Sequence, residues 1–326
     1  MSDLYHIPGD NGKDYRLKKF VEYQHEAPAT DYRFVAEYCR RRKVDKDHIV
    51  DLAFILAVTY SEITTVFISE LLVDGKTHWD IWKLKDNLNF GSAGKYKKYN
   101  DEYIPIMESW NAITEGKSHQ WILQENSDNP EQTYRRIYRK VSSITGVGRF
   151  TVDQFILMIV YMRDDLGLNI EIPSRINWRY CSNETSGLYN IFYEDEKANE
   201  YDRNGKISET EIRYLTSRVK VVQKAIMDTY GEYVEISDFV DKICSFRNLF
   251  KGQRYGGFHH DRELGVLKDY EKAFPEYQYI WDGCYRIRES IFPDKLLGEK
   301  HGWNGIRKER KKLWLTTGKT GVEDER

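Results

Sequence analysis

Apolar residues along this chain recur at helical rather than alternating intervals. From Asp31 onward, Phe34, Val35, Tyr38 and Cys39 share one face, with Thr30 and Asp31 placed to cap it. A second segment starts at Asp47, carries Leu52, Phe54, Ile55, Leu56, Val66, Phe67, Leu71 and Leu72, and stops at Asp74-Gly75, so it reads as a core helix. Polar residues with Gly116, Asn126, Asn129 and Pro130 then form a surface connection to a helix bearing Tyr134, Ile137 and Tyr138. Val152 to Met162 is apolar nearly all round and reads as buried.

The second half repeats the pattern. Ile212, Leu215, Val219, Val222 and Ile226 are spaced by three and four up to a stop near Gly231. Phe239, Ile243, Phe246 and Phe250 follow, ending at Gly252, and then Leu264, Leu267, Tyr270 and Phe274 before Pro275. With only seven prolines to interrupt these stretches, the predicted class is all-α. The acidic, polar stretch from about Cys181 to Thr210 reads as an insertion into a body spanning residues 30–314, with an N-terminal extension over 1–29 and a polar tail over 315–326.

A formal charge of −2 leaves any nucleic-acid contact to local patches. Three are present: Arg40 to Lys43; Arg135 and Arg136 with Arg139 and Lys140; and Arg307 and Lys308 with Arg310 to Lys312. Each taken alone is more simply a solvated helix face. Cys39, Cys181, Cys244 and Cys284 show no paired short spacing, which argues against a zinc site or a disulfide framework and predicts a reduced intracellular protein. Met1 to Lys13 lacks an apolar signal core, and the apolar run Leu52 to Tyr60 is closed by Asp51 and Glu62, so no membrane partner is expected.

One turn carries chemistry. In Ile144-Thr145-Gly146-Val147-Gly148-Arg149-Phe150-Thr151, glycines permit positive φ and close backbone approach, and the amides opening the next helix can hold a phosphate. An ordinary turn between core helices is the alternative. These residues resemble the hairpin of helix-hairpin-helix DNA glycosylases, and Ala57 to Val66 is similar to the early helix of that family that faces the damaged base. The chain departs from the family at Phe150, where lyase-type members carry a lysine. The later buried aspartate has no clear equivalent either, since Asp164 and Asp165 come early and Glu171 late.

A closer resemblance is to the phage α-glutamyl/putrescinyl thymine pyrophosphorylases, or amino acid:DNA transferases, which share a glycosylase-like helical fold. It rests on Thr30 to Arg42, the Thr59-Tyr60-Ser61 segment, the hairpin, and Tyr255-Gly256-Gly257-Phe258-His259-His260-Asp261-Arg262. The resemblance implies that pyrophosphorylated hydroxymethyl-deoxyuridine in double-stranded DNA is the substrate, and that an amino acid or polyamine amine displaces the pyrophosphate. The compartment implied is the cytoplasm, that of the host for a phage-encoded member. No cofactor is required, and a monovalent cation would fit at the hairpin.

Such chemistry asks for an extruded base, a cation for the departing pyrophosphate, and a base to deprotonate the amine. Tyr60, Ser61, Glu62 and Arg33 are the expected substrate-binding residues, with Trp79 and Trp82 as further aromatic surfaces that are as readily core. Thr145, Gly146, Val147, Gly148 and Arg149 are the expected DNA contacts. Arg262 is the first choice for meeting the leaving charge, and His259, His260 and Asp261 form the densest acid-base cluster, although Asp261 can equally be a helix cap.

Two rival functions fit the same residues: a glycosylase using Glu171 or Asp165, and a DNA-binding protein without catalysis. Separately, Glu200 to Glu211 matches a calcium loop at Asp202, Asn204, Gly205, Ile207 and Glu211, but begins with Glu and lacks a second copy, so a polar turn at Asn204-Gly205 is the plainer reading.

Overall fold

The computed structural model describes residues 12, 14–26, 31–88, 99–173, 182–231, 233–234, 236–250, 258–291, 312 and 316–317. Every regular element among them is helical, as the periodicity predicts. The chain divides into two compact units: residues 30–171 with 262–292, and residues 1–29 with 172–261 and 293–326.

In the first unit, α2 (Asp31–Arg42) is followed by α3 (Lys46–Thr59) and α4 (Glu62–Val73). The single helix expected from Asp47 to Asp74 is therefore two. Tyr60 takes a left-handed conformation (φ 51°) and closes α3, and Ser61 starts α4 by accepting a hydrogen bond from the Thr64 amide. Unbroken apolar sequence on both sides hides this break, because both helices are buried nearly all round.

A short α5 (His78–Trp82) precedes α6 (Tyr99–Thr114) and α7 (Ser118–Leu123); then come α8 (Pro130–Ser142), α9 (Arg149–Tyr161) and α10 (Arg163–Leu166). α3 lies at the centre, packed on α4, α6, α7 and α9. Phe54 stacks on Trp110 at 4.1 Å, and Phe155 meets both rings edge-on. The Trp110 indole N–H donates to Asp51 at 2.8 Å, so its polar atom is satisfied inside the core.

α15 (Phe258–Ala273), a 3₁₀ turn (Pro275–Tyr277) and α16 (Gln278–Ile291) complete this unit from Arg262 on. Phe67 of α4 is ringed by Tyr270, Phe274, Tyr277 and Trp281 at 4.9–5.6 Å.

The second unit corrects the expected domain plan. α1 (Tyr15–Glu26) is no mere extension, and the polar stretch after Cys181 is no excursion: α11 (Ser182–Ile191), α12 (Asp195–Asn204), α13 (Glu209–Tyr230) and α14 (Ile236–Phe250) share one core with α1. Phe20, Leu188, Tyr189, Ala198, Leu215, Ile243 and Phe246 meet there. All five stripe residues of α13, Ile212 to Ile226, are buried, each contributing roughly 1.5–3 kcal/mol of burial. Arg16 of α1 is clamped between both Asp195 oxygens (2.8 and 2.9 Å) and the Asn190 carbonyl, and lies over the Tyr193 ring. A stretch with few apolar residues is thus held by a helix about 180 positions earlier in the chain.

The calcium-type loop also takes another form. Glu200 to Asn204, with Asp202 and Asn204 among them, is the last part of α12, and Gly205 closes that helix. Glu211 is held in a capping box with Ser208. Among the described residues no group of His, Cys, Asp or Glu is placed to hold a metal, and no helix is long and apolar enough to cross a membrane.

Candidate functional site

The hairpin forms where the glycines place it. α8 ends at Ser142, Ile144 is buried beneath the turn, and the Val147 amide bonds the Ile144 carbonyl at 3.2 Å. Gly146 has φ +81°, and a Cβ there would lie 2.7 Å from Ile106 Cγ1, so both conformation and space require glycine. Thr145, Gly146 and Gly148 are exposed, with Val147 and Arg149 partly so. Gly148 is the N-cap of α9 in extended conformation and supplies no side chain to the first-turn amides.

The remaining charge around this turn is uneven. Arg149 pairs within its own helix with Asp153 at 3.6 Å. On α8, Arg135 is exposed but paired with Glu131 at 3.3 Å, Arg139 is exposed, and Lys140 is tied to Glu125 and lies over Trp121. The Arg40 to Lys43 patch is occupied by ion pairs: Arg40 with Asp165, Arg41 with Glu37 and Arg42 with Glu70. Its plain surface reading is the better one. Arg307 to Lys311 lie outside the described residues.

The first turn of α9 leads to a second cluster. Phe150 sets its ring edge-on to Tyr60 at 5.1 Å, and the Arg262 guanidinium lies over the same Tyr60 ring at 5.2 Å. Arg262 also donates to the Tyr60 carbonyl at 3.2 Å and to Glu263 Oε1 at 2.8 Å. The other oxygen of Glu263 accepts from the Ser61 hydroxyl at 2.7 Å and from the Ile63 amide at 3.4 Å. Thr64 in turn donates to Ser61 and exchanges a 2.7 Å hydrogen bond with the Tyr270 hydroxyl.

Ser61, Thr64 and Glu263 are fully buried, whereas Tyr60 and Arg262 are only partly so. The arrangement is a rigid polar floor carrying an aromatic ring and a cation toward its accessible side. Phe150 works here as packing against Tyr60.

Of the expected site residues, the structure therefore gathers Tyr60, Ser61 and Arg262. It leaves the others elsewhere. Glu62 is fully buried on the core side of α4, where, with Glu70 and after burial itself, it pushes the Cys284 thiol upward. Arg33 is exposed on α2. Trp79 and Trp82 face one another at 5.8 Å on α5. Asp261 is buried (2%) in the first turn of α15, three residues past its first helical residue, and so is not its N-cap. His259 is partly buried in the same turn, and the His260 side chain and Tyr255 to Gly257 lie outside the described residues.

Glu263 is the residue that sequence reading misses. It follows Arg262 directly, but its partner Ser61 is 202 positions away, and no local pattern links them. Asp164 and Asp165 are both exposed, Asp165 in its pair with Arg40, and Glu171 is exposed as well.

Compared with known proteins, the chain matches no family model, no curated protein and no solved structure.

Proposed function

We propose that this chain is a DNA base-modifying transferase of the helix-hairpin-helix, glycosylase-like type. The observation that carries the reading is the direct packing of an exposed glycine hairpin, through Phe150, onto a Tyr60 ring that also carries Arg262. A backbone phosphate at the open end of α9 and an extruded base at Tyr60 are then served by adjacent residues.

In the reaction, the amine nitrogen of an amino acid or polyamine attacks the methylene carbon of pyrophosphorylated hydroxymethyl-deoxyuridine. The carbon–oxygen bond breaks, and pyrophosphate leaves with the electron pair. Arg262 meets the growing negative charge, held in place by Glu263. A general base takes the amine proton. Glu263, already engaged by Ser61 and Arg262, positions the guanidinium.

A glycosylase is supported less well, because its offered carboxylates are exposed and Asp165 is ion-paired. The test is to incubate the protein with DNA containing pyrophosphorylated hydroxymethyl-deoxyuridine and a mixture of amines, digest it, and weigh the nucleosides. A thymidine heavier by one amine is expected. Free base with abasic sites would replace this reading by the glycosylase, and unchanged DNA that is still bound would replace it by a non-catalytic binder.

A further inference from the structure

Apart from the Tyr60 cluster, the same unit contains a groove at the end of α4. Leu72, His78 and Trp79 line one side, and Ile104, Glu108 and Asn111 of α6 line the other, around about 370 Å³. That volume falls at the small end of ligand sites, roughly 300–1,000 Å³. It shares no lining residue with the Tyr60–Arg262 cluster.

Its polar groups are few and well placed. The Trp79 indole is half exposed (51%) yet held on two sides: its N–H donates to Glu108 Oε1 at 3.1 Å, and its ring meets Trp82 edge-to-face. Glu108 has no cationic partner among the described residues, and the Asn111 side-chain amide has no hydrogen-bond partner there. The His78 Nδ1 is bonded to the Tyr103 hydroxyl at 2.8 Å, and burial pushes this imidazole down to about 4, so it is neutral near pH 7. Among the described residues lining the groove, one carboxylate is thus the only formal charge.

This lining selects its ligand. An anion meets Glu108 unfavourably, and a purely apolar molecule makes no use of the carboxylate or the amide. A cation with a hydrocarbon body satisfies every wall at once.

We infer that the groove binds a short-chain alkylammonium, its ammonium between the Trp79 ring and the Glu108 carboxylate, and its carbon chain along Leu72 and Ile104. The Asn111 carbonyl oxygen accepts a further N–H. Binding here requires nothing of the hairpin or of DNA.

Calorimetric titration of the full chain with n-butylammonium chloride at fixed ionic strength tests it, with 1-butanol and sodium butyrate as controls. Saturable binding with a dissociation constant on the order of 1 mM is expected, butanol weaker by about tenfold and butyrate silent. Glu108→Gln weakens butylammonium by about tenfold and leaves butanol unchanged. Trp79→Leu weakens it by about fivefold. Both side chains are exposed, and circular dichroism checks that each variant is folded. Absence of saturable binding, equal binding of butanol, or an unchanged Glu108→Gln affinity would each overturn the assignment.

Discussion

Of the described turns that join helix to helix through a left-handed glycine, those at Gly205 and Gly146 lead into helices that begin with nearly identical backbones. At the α12–α13 junction Gly205 has φ 61°, and the N-cap Ser208 has φ −84° and ψ 162°. At the α8–α9 junction Gly146 has φ 81°, and the N-cap Gly148 has φ −83° and ψ 163°. What differs is the side chain. Ser208 and Glu211 close the start of α13 with a reciprocal capping box, whereas Gly148 leaves that place at α9 to whatever arrives from outside. The same local shape is thus capped by side chains in one unit and left without a side-chain cap in the other, and glycine or serine at one position makes the difference.

The largest effect is expected where the open end meets the Tyr60 cluster. Arg262→Ala should lower modified-nucleoside formation by about 10²–10³-fold, read by mass spectrometry, and change DNA affinity by less than about twofold. Equal loss of binding and turnover would mean that Arg262 holds DNA rather than the leaving group.

Next is the glycine pair itself. Gly146→Ala meets Ile106 and an unfavourable φ together, and should lower stability in urea by about 2–3 kcal/mol. Gly205→Ala faces open space and should cost about 1 kcal/mol from φ alone. Similar losses in both would show that Ile106 yields without strain.

The caps should then respond with opposite signs. Gly148→Asp supplies a capping carboxylate, and is expected to stabilise the fold by a few tenths of a kcal/mol while weakening DNA about tenfold in fluorescence anisotropy at low salt. Ser208→Ala should cost about 1 kcal/mol and leave DNA affinity unchanged.

The smallest effect is one of pH. Burial raises the Glu211 carboxyl, but hydrogen bonds from the Ser208 hydroxyl and amide and from Tyr189, with the Lys197 charge, outweigh it and hold the group below the ordinary carboxylate range. A depressed acid contributes stability above its unfolded value and loses it as pH falls through its folded one. Amide exchange in the first turn of α13 should therefore quicken in acid relative to that of α9, which has no titrating cap. Equal acceleration would show that the box adds nothing.

Much of this was legible along the chain, and for a simple reason. The five-residue stripe of α13 and the hairpin residues Ile144 to Gly148 are patterns of close neighbours, governed by helix period and glycine stereochemistry, and both appear where predicted. The break at Tyr60 was less visible, because apolar residues continue on both sides, although Ser61 is a residue type that caps helices.

By itself, then, the amino-acid sequence determined the helical class, most helix faces and the exposed glycine turn, since these depend on residues within a turn or two of one another. Only the tertiary structure decided that Glu263 reaches Ser61 across 202 positions, that Arg16 anchors the polar stretch near Asp195, and that Glu62 turns inward. A buried charge must find partners wherever the packed chain brings them, and that pairing is written in no local pattern.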